Sequence, residues 1–118
     1  GQRLPLLIGA MGRVAAAFAG LEEAELRRRF AALRWQRPFA VEEFLAQVEE
    51  TRARGWALDD GHYAWVVTTL SAPARTREGL WAVSATMFTG QCDRATMDLI
   101  GAELTSLARD VERALAFD

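Results

Sequence analysis

The sequence predicts an α+β domain with helices on both sides of a mostly antiparallel sheet, and three observations predict it. Apolar residues recur at steps of three and four up to about residue 54, the period falls to two between Trp56 and Thr89, and the helical period returns after Asp93. Helices, then strands, then a helix, without strict βαβ alternation, is the order expected when helices pack on an antiparallel sheet. With 118 residues, 51% apolar and 25% charged, the chain suits a single domain over residues 1–118 with one core.

The elements follow in order. Ile8, Met11, Ala15 and Phe18 line one face of a first helix near residues 8–19, ended by Gly20. Leu26, Phe30 and Leu33 continue the pattern over 22–33, with Glu23 and Arg27, and Glu25 and Arg29, spaced for ion pairs on the outer face. Arg37-Pro38-Phe39 breaks the chain, because proline lacks an N–H and biases the residue before it towards extended geometry. A third helix near 41–54 buries Val41, Phe44, Leu45 and Val48, pairs Glu50 with Arg54, and stops at Gly55, a favoured residue just past a helix end.

Trp56-Ala57-Leu58 reads as a short strand, Tyr63 to Ala72 and Leu80 to Thr89 as two longer ones, and Arg77-Glu78-Gly79 as the hairpin turn joining them. The last helix carries Met97, Ile100, Leu104, Leu107, Val111 and Leu115 on one stripe, with Asp93 as its N-cap. It should pack on the hairpin through Ile100, Leu104 and Leu107. Three strands are few for a sheet between two helical layers, so a piece of a longer protein is expected.

Charge and composition exclude several functions. The net charge of −2 provides no global field for a phosphate backbone, and Arg27-Arg28-Arg29 have glutamates at helical spacing, which reads as a solvated face. One cysteine, Cys92, and one histidine, His62, build neither a zinc site nor a nucleophile with its base. Trp35, Trp56, Trp65 and Trp81 read as core and interface anchors, since no basic residues alternate with them as in a base-stacking platform. No apolar run approaches a membrane span and no signal-peptide layout opens the chain, so a soluble, cytoplasmic protein without cofactor or metal is expected.

Three features carry chemistry. Asp59 and Asp60 are adjacent, and neighbours in an extended strand point to opposite faces, so they cannot act together as an acid/base dyad. They serve either as a turn before Tyr63 or as one wall of a ligand site. Between Gly1 and Gly20 there is no Ser, Thr, Asp or Asn, so no side chain there caps the first-turn amides of the first helix. Those amides would bind an anion, or be satisfied by water or other strands. By alternation Ser84, Thr86 and Phe88 share one strand face, as a ligand surface or for packing alone.

Three stretches together resemble the C-terminal effector-binding domain of the IclR family of bacterial transcriptional regulators. "LPLLIGAMGR" (4–13) is similar to that family's Pro-Leu-His-x-x-x-x-Gly-Lys helix entry, "VEETRARGWALDD" (48–60) to its Arg-x-x-Gly-Tyr/Trp-Ala-x-Asp turn, and "TTLSAP" (68–73) to its Arg-Cys-Ile-Ala-Ala-Pro strand. The sequence departs from the pattern at Gly61, His62, Val66, Thr68-Thr69 and Phe88. The resemblance implies a GAF-like fold, here lacking its first strands, with a small-molecule pocket on one face, and an N-terminal winged helix-turn-helix that is not in this chain.

It further implies that the amides of Ala10 and Met11 hold an effector carboxylate and that Asp59 contacts the effector, facing a ligand hydroxyl rather than the carboxylate. Asp60 is left as a solvated turn residue. Thr69 falls at the family's pocket cysteine, Thr86 at a pocket serine, and Phe88 at a second serine. The expected partner is a small organic acid, with self-association as dimer or tetramer, and DNA engaged only through the absent domain. The rivals are a GAF-like dimerisation or structural module without ligand, and a GAF-like enzyme, which would want more than one cysteine for thiol chemistry.

Overall fold

The computed structural model describes residues 9–33, 40–62 and 64–116. They form α1 (Gly9–Phe18), α2 (Glu23–Ala31), α3 (Val41–Arg54), β1 (Ala57–Asp60), β2 (Val67–Thr76), β3 (Gly79–Phe88) and α4 (Arg94–Leu115). The three strands make one antiparallel sheet in the order β1-β2-β3. The break expected at Arg37-Pro38-Phe39, together with Ile8, Trp35 and Tyr63, lies outside the described residues.

Residues directly opposite in neighbouring strands share a side of the sheet, and the register sorts the side chains into two sets. Leu58, Leu70, Ala72, Ala74, Val83, Ala85 and Met87 face α4 and close the main core on Met97, Ile100, Leu104 and Ala108. On the opposite side α1 lies over Ala57 and Leu80 through Ala10 and Val14. A third cluster seats α2 and α3 against the other flank of α1, through Ala16, Ala17, Leu26, Phe44 and Val48. Helices therefore cover both sides of the sheet, as the period changes predict.

Helix ends follow local chemistry. The Asp93 carboxylate accepts from the Thr96 amide at 2.8 Å and caps α4, as expected. Gly55 takes a left-handed φ of 92° and donates to the Thr51 carbonyl at 2.8 Å, closing α3 where the glycine predicts it. The hairpin turns on Arg77 and Glu78 alone, and the positive φ of 136° falls on Gly79, the first residue of β3.

Several expectations are corrected. β2 begins at Val67, not Tyr63: Ala64 to Val66 form a turn closed by the Val67 amide on the Ala64 carbonyl at 3.1 Å, and Trp65 and Val66 are both exposed, so no alternation exists there. The strand runs on to Thr76 through Pro73, which lies past the end of β1, where among the described residues β2 has a partner on one side only and a missing N–H is tolerated. β1 runs to Asp60, so both aspartates are strand residues and the turn starts only at Gly61, with φ 77°.

Helix faces also differ in detail. Met11 is exposed, because α1 is buried all round from Gly12 to Ala17 and its sheet side is Ala10 and Val14. Leu107 is exposed as well, since Met97, Gly101, Leu104 and Ala108 are the residues α4 buries. Of the α3 residues expected to be buried, Phe44 and Val48 are, while Val41 and Leu45 are half-buried.

Gly101 seats α4 against Trp56. A Cβ built there would stand 2.2 Å from Cε2 of that buried indole, whose ring also lies under the Arg54 guanidinium, 3.7 Å from its centroid. The ring, held from both sides, cannot yield cheaply. We expect Gly101→Ala to destabilise the fold by about 1–3 kcal/mol in urea unfolding, as overpacking does. Gly20→Ala, at a φ of 79° with open space around it, should cost roughly 1–2 kcal/mol through backbone strain alone.

Candidate functional site

The side of the sheet that α1 covers only in part is lined with hydroxyls. Asp59, Thr69 and Thr86 stand in one row across the three strands, and Ala57, Ser71 and Ser84 in the next. The Ser71 and Ser84 hydroxyls share a hydrogen bond of 2.7 Å. Val67 and Phe88 form the row at the other flank of Asp59. α1 shields the Ala57 and Leu80 end, whereas Ser84, Thr86 and Phe88 are exposed and Thr69 is half-buried. The face that Ser84, Thr86 and Phe88 were expected to share is therefore real and open.

The start of α1 stands at the covered edge of this surface. Its first-turn amides, Gly9 to Met11, have no carbonyl four residues back within the helix, and the described helix has no acidic residue in its first turn. The macrodipole places partial positive charge there. Ala10 is packed against Ala57, and the Met11 side chain is exposed. Of the residues singled out from sequence, Ala10, Asp59, Thr69, Thr86 and Phe88 are thus brought to one side of the sheet, and Met11 shares the helix turn with Ala10.

The two aspartates part company. Asp59 is 3% exposed and accepts from Nη1 of Arg13 at 2.9 Å. Arg13 has no exposed surface, and its Nε donates to Oε1 of Gln47 at 2.6 Å, so one guanidinium joins α1, β1 and α3. Burial lowers its pKa, and the Asp59 charge and hydrogen bond, with the charge of Glu43, pull it back. Asp60 is exposed and points to the other side, where it accepts from the Thr68 hydroxyl at 2.8 Å. There it lines a polar cavity of about 210 Å³ with Gln47, Arg54, His62 and Arg94.

Arg13 and Gln47 are the site residues that sequence reasoning missed. The available signal was a single charged residue inside an otherwise apolar helix, Gly9–Phe18, which has to find a buried partner of opposite charge. The basic triplet behaves as expected of a solvated face: Arg27 pairs with Glu23 at 3.1 Å and Glu42 at 3.0 Å, and Arg28 and Arg29 share Glu25. Among the described residues no group of three His, Cys, Asp or Glu is placed to hold a metal ion, and no helix is long and apolar enough to cross a membrane.

Comparison with known proteins gives the arrangement a context. A family model described as bacterial transcriptional regulator IclR C-terminal matches residues 1–113. The Agobacterium tumefaciens repressor BlcR superposes with a TM-score of 0.76 at 22% identity, over 98% of this chain and 49% of its own. RHA06195 of Rhodococcus sp. RHA1 superposes at 0.74 with 27% identity, over 99% of this chain and 50% of its own. A double mutant of the inducer binding domain of the Acinetobacter transcription factor PobR, in complex with 3-hydroxybenzoic acid, superposes at 0.69 with 17% identity, over 95% of this chain and 69% of its own. The chain spans about half the length of the first two. Among curated proteins none matches.

A buried ion pair makes its two members interdependent. Arg13→Met or Asp59→Leu alone should destabilise by about 3–5 kcal/mol, because each leaves a buried charge without its partner. The double substitution should cost clearly less than the sum. Denaturant unfolding of the four proteins in a double-mutant cycle checks this, and additive losses would mean the pair is not coupled.

Proposed function

The chain belongs to the IclR family of bacterial transcriptional regulators, of which it matches the C-terminal domain, and on that premise we propose that it senses a small organic acid on the hydroxyl-bearing side of its sheet. The observation that carries the reading is the single row Asp59, Thr69 and Thr86 running across the sheet on the side where α1 begins without an acidic first turn. The amides of Ala10 and Met11 take the carboxylate, as helix N-termini do for anions. Thr69 and Thr86 orient the ligand by hydrogen bonds, Phe88 contributes an apolar contact, and Asp59 accepts from a ligand hydroxyl. The PobR domain, which shares this fold, is in complex with 3-hydroxybenzoic acid, a carboxylate bearing one hydroxyl, and that is the ligand class we assign.

No bond is made or broken in this role. A ligand that binds one arrangement of effector domains better than another shifts their populations, and so moves attached winged helix-turn-helix domains relative to DNA. The protein would act in the cytoplasm and self-associate. β3 supports the latter: its ten residues include no charge and no proline, and Trp81 on it is 55% exposed, features that invite pairing with another chain. The same exposed residues, with Leu99 and Leu107 on α4, favour the second reading, a dimerisation module that binds no ligand.

Calorimetry on the full-length protein against aromatic and aliphatic hydroxy acids separates the two. We expect binding of at least one acid, and Thr86→Val should weaken it by about 0.5–1.5 kcal/mol, roughly two- to tenfold. Asp60→Asn, on the far side of the sheet, should leave the affinity unchanged. Absence of heat with every acid, beside a concentration-dependent oligomer, would favour the dimerisation module.

A further inference from the structure

Two anions meet in the reading above, and something must reconcile them. A ligand carboxylate at the first turn of α1 and the carboxylate of Asp59, which pairs with Arg13 of the same helix, would repel each other, the more so where water is excluded. The structure holds a cation behind Asp59. Arg13 is fully buried, its Nη1 is 2.9 Å from Asp59 Oδ1, and its Nε is anchored on Gln47 at 2.6 Å. It belongs to the same helix as the amides of Ala10 and Met11, and it follows Ala10 by three positions, about 4.5 Å along the axis. The guanidinium and the helix N-terminus are therefore held at a fixed spacing by one turn of backbone.

We propose that Arg13 is the charge-selecting positioning residue of the effector site: by neutralising Asp59 from within, and held in place by Gln47, it lets the site accept a carboxylate in preference to an uncharged ligand of the same shape. With both members present, the pair's own charge is zero and the partial charge of the α1 N-terminus favours an anion. Loss of the Arg13 charge leaves one negative charge and disfavours the anion. Loss of the Asp59 charge leaves one positive charge and favours it. Gln47 is the orienting partner, because Nε–H donation to a neutral amide fixes the guanidinium plane without adding charge. The inference rests on the acid-sensing reading and deepens it.

The test compares pairs of probes of the same shape, one charged and one neutral, 3-hydroxybenzoate with 3-hydroxybenzamide and lactate with lactamide; their hydrogen-bonding difference is common to every variant, so a change in the ratio between variants reads the charge. Dissociation constants are measured by calorimetry for the full-length wild type, Arg13→Gln, Asp59→Asn and the double variant. The wild type should prefer the acid. Arg13→Gln should reduce the acid-to-amide preference at least tenfold, Asp59→Asn should raise it by a similar factor, and the double variant should return it near the wild-type ratio. A merely structural role for Arg13 would weaken acid and amide alike and leave the ratio unchanged, which would overturn the proposal. Should Arg13→Gln fail to fold, Asp59→Asn against the double variant isolates the same charge, and the tenfold fall is expected there. A wild type that binds no member of either pair would remove the acid-sensing reading and this inference with it; binding with an unaltered ratio would remove the inference alone.

Discussion

A guanidinium with no exposed surface has to be matched where it lies, and in this protein that requirement falls on three elements at once. Arg13 leaves α1, meets Asp59 on β1 and Gln47 on α3, and none of these partners is near it in sequence. A buried charge tolerates little displacement, because both desolvation and lost pairing work against it. The placement of α1 across the end of β1, and of α3 alongside, is therefore specified by direction as well as by area. The apolar contacts around it, Ala10 and Val14 on one flank and Ala16 and Ala17 on the other, would accept a helix rotated by some degrees. The ion pair does not.

The two sides of the sheet divide the work. One side carries the main core, with Leu70, Ala72 and Ala74 under Leu104 and Ala108 of α4, and gives way to the polar pair Asp60 and Thr68 at one end. The other presents threonines and serines and, among the described residues, is covered where α1 lies. The family that the chain belongs to is one of transcriptional regulators. The separation of the aspartates agrees with that: carboxylates on opposite faces, one buried against an arginine and one exposed beside Thr68, do not converge on a reacting atom.

Much of this was legible in the sequence, for identifiable reasons. The bounds of α3 were readable to the residue because Gly55 stops it and Glu50 and Arg54 space it. The opposite orientation of Asp59 and Asp60, and the common face of Ser84, Thr86 and Phe88, follow from period two alone. Other features were hidden. Tyr63 to Val66 have the composition of a strand, but Gly61 and the Ala64 turn divert the chain before pairing starts at Val67. Counting apolar steps chose Met11 for the buried face of α1, because an arginine is never counted as apolar, while the buried residue was Arg13. Only its long-range partners, more than thirty positions away in sequence, make that burial tolerable, and local pattern does not contain them.

The two-residue turn at Arg77 and Glu78 constrains how such a domain can diversify. Because the side chains of β3 alternate between the hydroxyl surface and the α4 core, an insertion or deletion of one residue in that turn, if the strand slid to absorb it, would exchange the two sets, sending Val83, Ala85 and Met87 outward and Ser84 and Thr86 under the helix. Drift in the hairpin length is thereby confined to even steps or to a compensating bulge. For a ligand on the surface proposed above, new preferences would be reached instead by point substitution at every second position of β2 and β3, leaving the intervening residues to preserve the core, so that recognition and foldability would mutate on separate, interleaved tracks.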